Sequence, residues 1–316
     1  KMLPYLNNEQ LLHLKAVLEA SFQGVIIEMG EEQPKVDEQD SVAAFITAKR
    51  IEGCSEKTLA YYSKTIAAML NGVGKSPQQI TTDDLRKYLT DYQTQRHSSK
   101  VTIDNIRRIL SSFFSWLEDE DFIVKSPVRR IHKVKTAKII KETYTDEALE
   151  LMRDNCSTVR DLAIIDLLAS SGMRVGELVT LNREDINFNE RECVVFGKGN
   201  KERLAYFDAR TKIHLQNYLD ERVDNNPALF VTLKEPHERL MIGGVETMLR
   251  ELGRRLKLNK VHPHKFRRTL ATSAIDKGMP IEQVQQLLGH QKIDTTMHYA
   301  MVKQQNVKLA HRKFIG

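Results

Sequence analysis

At 316 residues, with 41% hydrophobic and 28% charged residues, the chain is long enough for two domains that each bury a core. No apolar run approaches the about 18 residues that span a bilayer, so a membrane role is not expected. Net charge is +6, unevenly spread: the first 40 residues hold three Lys/Arg against eight Asp/Glu, and the rest 45 against 34. A basic body behind an acidic leader attracts polyanions through phosphate contacts and counterion release, although a basic pI alone also suits an ordinary soluble protein. Cys54, Cys156 and Cys193 are scattered and form no Cys-x-x-Cys pair, which argues against a disulfide framework or a zinc ribbon. The opening residues lack an apolar signal region, and a reducing cytoplasm is the expected compartment.

Leu11, Leu12, Leu14, Val17 and Leu18 recur at helical spacing and predict an N-terminal helix within an acidic extension, residues 1–39. Residues 40–124 read as a four-helix domain. Val42, Phe45 and Ile46 mark its first helix, and Thr58 to Leu70 its second, ended by Gly72 and Gly74. Thr81 to Asp84 cap a third carrying Leu85 and Leu89, and Ser98 to Leu117 form a fourth with Ile103, Ile106, Ile109, Leu110, Phe113 and Phe114.

Residues 125–141 carry seven Lys/Arg (Lys125, Arg129, Arg130, Lys133, Lys135, Lys138 and Lys141) and no acidic residue. The spacing predicts an interdomain linker lying against a phosphate backbone, with a solvated charged loop as the alternative. Residues 142–316 form the second domain. Thr145 caps a helix to about Arg153, and Arg160 to Ser170 is a buried helix. Ile186 to Phe188, Cys193 to Phe196 and Arg203 to Phe207 are short β-rich runs, the last two split by the turn sequence Gly197-Lys198-Gly199-Asn200-Lys201, which predicts a small antiparallel sheet. Helices resume from Ala209 to Arg222 and continue onward, broken at Pro227, Pro236, Gly243-Gly244, Pro263 and Pro280. The fold class is therefore mainly α, with a small antiparallel β-sheet in the C-terminal domain.

Arg174 follows a buried helix and opens another, where backbone N–H groups already favour an anion. Glu177, one turn on, is placed to orient its guanidinium; an exposed surface ion pair is the competing reading. Lys198 at the hairpin tip can reach into a groove and protonate a leaving oxygen, with Lys201 and Arg203 as close competitors. His264 and Arg267 lie three apart on a helix after Pro263 and project from one face. His262 and His264 could instead be a metal pair, but further ligands at zinc spacing are missing and no metal is expected. Pro280 opens a helix that stops at Gly289, leaving His290 just past its C-terminus. Asp294 or Thr295 caps a short helix carrying Tyr299 about one turn in. A tyrosine hydroxyl, with a free pKa near 10, needs help to attack at neutral pH, and two arginines and two histidines supply it by stabilising phenolate and phosphorane. The ordered set fits metal-free breakage of a DNA phosphodiester by a tyrosine.

With these motifs in hand, the chain resembles the tyrosine recombinases, the phage-integrase family that includes Xer-type recombinases and integrases of mobile elements. The matching stretches are Ser171 to Leu178, Gly197 to Arg203, His264-Lys265-Phe266-Arg267, Leu287-Leu288-Gly289-His290 and Thr295 to Tyr299, in the family's order. The resemblance covers roughly residues 40–316 and implies a SAM-like core-binding domain and a catalytic domain forming a C-shaped clamp on DNA, with a C-terminal segment exchanged between protomers. It implies that Tyr299 forms a 3′-phosphotyrosyl link, Arg174 and Arg267 hold the scissile phosphate, and Lys198 protonates the 5′-hydroxyl. His264 would assist proton transfer, His290 would donate to the phosphate, and Glu177 would support. Lys125, Arg129, Arg130, Lys133, Lys135, Lys201, Arg203 and Arg268 are the expected DNA contacts. Arg268 stands where many members carry a histidine, and a phosphate contact or a supporting ion pair are its two readings.

No cofactor, metal or ATP is expected. The implied partners are double-stranded DNA with paired recombination sites, a homotetramer on that DNA, and an accessory DNA-bending protein, in the cytoplasm with the nucleoid. Integration and excision of a mobile element, or inversion of a DNA segment, is the leading role, with Xer-like chromosome dimer resolution as the alternative. A type IB topoisomerase shares the chemistry, and a DNA-binding module that has lost catalysis is the non-enzymatic reading.

Overall fold

In a computed structural model, the described residues are 8–22, 38–135, 142–197 and 202–297. The chain divides into two compact units, Lys1–Lys138 and Ile139–Gly316. Among the described residues no helix is long and apolar enough to cross a membrane.

The first unit contains α1 (Asn8–Ser21), α2 (Glu38–Ile51), α3 (Glu56–Val73), α4 (Thr82–Gln95) and α5 (Lys100–Asp119). The core between α2 and α5 is aromatic and aliphatic: Phe45, Ile66, Met69, Leu85, Leu110, Phe113 and Phe114 are buried. Ser55, Thr81 and Ser99 cap α3, α4 and α5 with their hydroxyls, which satisfies amide groups that have no partner inside the helix. Gly74 ends α3 in the left-handed conformation, φ 67°. Gly72 does not end it; a Cβ there would come within 2.9 Å of the Tyr88 ring, so the missing side chain lets α4 approach.

The basic segment differs from a free linker over its first part. A 3₁₀ turn at Pro127–Arg130 packs on α4 and α5, with Val128 buried and Ile131 and Val134 against the same core. The Ser126 amide donates to Glu118 at 2.9 Å and the Val134 amide to Asp104 at 3.1 Å. Apolar residues at a spacing of three, set among the cations, dock this stretch, while Lys125, Arg129, Arg130, Lys133 and Lys135 stay exposed. Lys138 and Lys141 lie outside the described residues.

The second unit contains α6 (Asp146–Asp154), α7 (Val159–Ser171), α8 (Val175–Thr180), the strands β1 (Ile186–Asn187), β2 (Glu192–Phe196) and β3 (Glu202–Tyr206), then α9 (Ala209–Asp220), α10 (Ile242–Arg255), α11 (Pro263–Asp276), α12 (Ile281–Leu288) and α13 (Ile293–Met297). The sheet is antiparallel in the order β1-β2-β3, with Cys193 opposite Ala205 and Val195 opposite Arg203. Cys193, Val195 and Ala205 face the core, and Val194, Leu204 and Tyr206 alternate outward. Helix α7 is the centre of this unit, buried through Ile164, Ile165, Leu167 and Leu168.

Two expectations about helix ends change. Gly243 and Gly244 lie in the first turn of α10 instead of breaking a helix, because a Cβ on Gly244 would meet Leu240 at 2.7 Å. Asp294 and Thr295 sit inside the first turn of α13, which begins at Ile293, so neither is its cap.

Candidate active site

The site grows from three helix ends and one strand. Helix α7 stops at Gly172, left-handed at φ 59°, and a Cβ there would strike Leu270 of α11 at 2.7 Å. That glycine allows α11 to pass close behind the α7 terminus. Two residues later Arg174 begins α8. Its amide donates to Glu177 Oε2 at 2.8 Å and its Nη1 to Glu177 Oε1 at 2.7 Å.

Glu177 is only 3% exposed, so the surface ion pair considered from the sequence is not what forms. A second guanidinium completes the pairing: Arg203 of β3 donates through Nη2 to Glu177 Oε2 at 2.6 Å. Burial opposes the charge on Glu177, yet the Arg174 amide and the Arg203 and Arg174 guanidiniums outweigh it and hold the carboxyl below its ordinary value. Glu177 therefore keeps its charge and fixes Arg174, which retains 36% of its side-chain exposure for an incoming anion.

Arg267 reaches the same place from α11. It is buried, and donates through Nη1 to the Gly172 carbonyl at 2.7 Å and through Nη2 to the Leu288 carbonyl. Both acceptors belong to helix C-terminal ends, where carbonyls lack intrahelical partners and a cation is favoured by the helix dipole. Arg267 thus ties the ends of α7 and α12 together.

His290 follows Gly289, the left-handed cap of α12 at φ 62°. Its Nδ1 lies 2.9 Å from the Thr296 hydroxyl, and its carbonyl accepts from Gln285 Nε2 at 2.9 Å. Burial pushes the imidazole pKa down to about 4, helped by the positive charges of Arg267, Arg174 and Arg203. At neutral pH the ring is uncharged and has one N–H to donate. Hydrogen bonds bring these groups together: Arg203 joins Glu177, the partner of Arg174, to the Leu287 carbonyl, and Arg267 takes the Leu288 carbonyl two residues before His290.

His264 and Arg268 also lie on α11. His264 is exposed on the first turn of α11, three residues ahead of inward-facing Arg267. Arg268 donates through Nε to the Glu142 carbonyl at 2.8 Å, with Nη2 on the same oxygen, and makes no ion pair among the described residues. It fastens the start of the second unit to α11. Lys198, Lys201 and Tyr299 lie outside the described residues. Lys125, Arg129, Arg130, Lys133 and Lys135 belong to the other unit.

Sequence reasoning placed Arg203 among the hairpin-tip cations. The signal that separates it is parity: alternation puts Arg203 on the face of Ala205 and Phe207, a charged residue on an apolar side.

The model of the Phage integrase family matches residues 138–306, and that of the phage integrase N-terminal SAM-like domain matches residues 42–123. Tyrosine recombinase XerC of Leptospira interrogans is 31% identical over 291 residues, covering 87% of this chain and 92% of that protein. Tyrosine recombinase XerC of Staphylococcus aureus is 30% identical over 280 residues, covering 84% and 93%. In fold, the chain is similar to XerH site-specific recombinase bound to a palindromic difH substrate, with a TM-score of 0.70 at 20% identity over 95% of this chain and 94% of that one. It is also similar to a lambda integrase dimer bound to a COC′ core site, with a TM-score of 0.69 at 18% identity over 93% and 87%. With the two arginines, the buried glutamate and the histidine gathered in the region matched by the family model, the chain belongs to the phage integrase family and is a tyrosine recombinase.

Proposed function

We propose that this recombinase cuts duplex DNA by attack of the Tyr299 hydroxyl on the scissile phosphate, forming a 3′-phosphotyrosyl bond and releasing a 5′-hydroxyl. Arg174 and Arg267 hold the phosphate and stabilise the charge that builds on its oxygens. Lys198 delivers a proton to the leaving 5′ oxygen, His264 assists proton transfer at the tyrosine, and neutral His290 donates its N–H to the phosphate. The 5′-hydroxyl of a second duplex then attacks the phosphotyrosine, so the bond energy is kept in the covalent link and neither ATP nor a metal is required. Two rounds of exchange pass through a Holliday junction. Four protomers act on two sites, with a DNA-bending protein as accessory and the nucleoid as the place of action.

In this reading residues 40–124 bind the core DNA, 125–141 connect along the backbone, and 142–316 carry catalysis and protomer exchange. The acidic residues 1–39 are a regulatory or assembly extension. The observation that supports the reading is the hydrogen-bonded convergence of Arg174, Arg203 and Arg267 on buried Glu177 and on the end of α12 that carries His290. Integration and excision, or inversion of a DNA segment, is the proposed role. Similarity to XerC proteins favours a second one, resolution of chromosome dimers.

The test uses purified full-length protein, wild type and Tyr299→Phe, with nicked suicide duplexes drawn from DNA flanking its own gene and chelator present. Wild type is expected to give a covalent protein–DNA adduct on a denaturing gel, and Tyr299→Phe none. Absence of any adduct on DNA that the protein binds would leave a binding module in place of the enzyme.

A further inference from the structure

Strand β3 sends one charged side chain toward the core side of its hairpin. Arg203 pairs across the sheet with buried Val195 and shares the face of Ala205. Its guanidinium does not extend to solvent: the side chain is 12% exposed, and Nε is buried without a hydrogen-bond partner among the described residues. The two terminal nitrogens are both engaged. Nη2 donates to Glu177 Oε2 at 2.6 Å, and Nη1 donates to the Leu287 carbonyl at 3.0 Å.

These two acceptors belong to different parts of the site. Glu177 holds Arg174, and Leu287 is in the last turn of α12, immediately before the Leu288 carbonyl taken by Arg267. Consecutive carbonyls of one helix end are therefore gripped by two guanidiniums, one from α11 and one from β3. Gly289 comes next, where a Cβ would lie 2.4 Å from Arg203 Cδ and 2.8 Å from its Nε. The backbone just before His290 rests directly on the arginine stem. Only a planar fork spans Glu177 and Leu287 at once; a lysine ammonium on a flexible stem is a point charge and cannot hold both at these angles.

We infer that Arg203 is a positioning residue for strand cleavage: it locks the β2–β3 hairpin, Glu177 and the α12 terminus into one frame, so that Arg174 and His290 address the same phosphate. The inference rests on the recombinase reading above. It replaces the sequence expectation of a DNA contact at Arg203 with an internal role, and it gives the strand following Lys198 a fixed anchor in the site.

Full-length Arg203→Lys and Arg203→Ala are compared with wild type on the nicked suicide duplexes, measuring adduct formation in single turnover at saturating DNA and affinity at two salt concentrations. The expected result is a cleavage rate lower by about 10- to 100-fold in both variants, as for groups held out of register. Affinity should stay within roughly 2-fold, with an unchanged salt slope. Failure of lysine to rescue separates the fork from mere charge. The His290 imidazole signal, assigned with His290→Gln, should titrate at higher pH in Arg203→Ala. If instead affinity falls, the slope of log K against log salt drops by about 1, and the saturated rate is kept, Arg203 is a phosphate contact and the proposal is wrong. Wild-type rate, affinity and titration in both variants would also overturn it. Should the alanine variant not fold, Arg203→Lys alone decides, since it keeps the charge and loses the fork. If wild type forms no adduct anywhere, the recombinase reading fails separately, and an unmoved His290 titration would then sink the positioning role as well.

Discussion

Asp84 in the helical unit and Glu177 in the C-terminal unit are the third residues of their helices, and each accepts the backbone N–H of the residue that starts it: Thr81 N–H at 2.9 Å and Arg174 N–H at 2.8 Å. Their surroundings differ. Asp84 is 22% exposed and pairs with Lys75 at the surface, whereas Glu177 is 3% exposed and takes two guanidiniums. The same local device starts a helix in one unit and assembles a site in the other. Burial makes the difference, because a carboxylate removed from water must be paired and then holds its partners rigidly. The contrast extends across the units: among the described residues the buried charged side chains, Arg160, Asp166, Glu177, Lys265 and Arg267, all lie in the second. Among the described residues the only polar side chains that the first unit buries are the uncharged Ser41, Thr65 and Ser126.

The sharpest way to break this comparison is Glu177→Ala. Removing the carboxylate leaves Arg203 facing no counter-charge in a dry position, and a loss of about 3 kcal/mol is expected. Trp116 is the single tryptophan and sits in the first unit, packed near Phe45 and Phe122, so its fluorescence reports that unit while far-UV circular dichroism reports both. In urea, Glu177→Ala should lower the dichroism transition and leave the tryptophan transition where it is. If both move together, the units unfold as one and the division of labour does not extend to stability.

How far this contrast is readable before folding depends on what is local. Thr81 and Thr145 as caps and the 2-residue alternation of β2 are set by neighbours in sequence, and they stand close to where the pattern puts them. The arginines of the site are legible for a related reason, since Arg174 stands at the start of α8 and Arg267 about one turn into α11. The pairing that lets Glu177 be buried is not local: its second partner is Arg203 of β3, 26 residues away along the chain. Arg203 was hidden in a run of turn cations, and only its parity with Ala205 distinguishes it. Gly243 and Gly244 misled in the opposite direction, because low helix propensity is tolerated in a first turn when Leu240 needs the space.

A second test sharpens the comparison through pH. The His290 imidazole titrates near 4 in the folded protein and at an ordinary 6.5 when unfolded. Between those values the unfolded chain binds a proton that the native state refuses, so the unfolding free energy falls as pH drops from 6.5 toward 4. Above 6.5 the group is neutral in both states and contributes no pH dependence. Wild type compared with His290→Asn by urea denaturation at pH 7 and pH 5 should show the extra loss only in wild type, and only in the dichroism transition. Equal losses in the two proteins would mean that the arginine-ringed imidazole is not what titrates.

The smallest expected effect lies in the first unit and completes the contrast. The Thr81 hydroxyl accepts the Asp84 amide at 3.2 Å and donates to the Asp84 carboxylate at 2.8 Å, and that carboxylate is held down to about 2 by Lys75 and by the Thr81 groups. Thr81→Ala removes one cap from α4, whose Leu85 and Leu89 pack into the core shared with Trp116. The cost should be about 1 kcal/mol, the usual price of a lost hydroxyl cap. It should appear as a lower midpoint of the tryptophan transition with the dichroism signal of the second unit unmoved. Water reaches Asp84, 22% exposed, more readily than Glu177, 3% exposed, so the two variants should differ about threefold in stability. A Thr81→Ala loss as large as that of Glu177→Ala would mean that the α4 cap supports more of the first unit than its exposed position suggests.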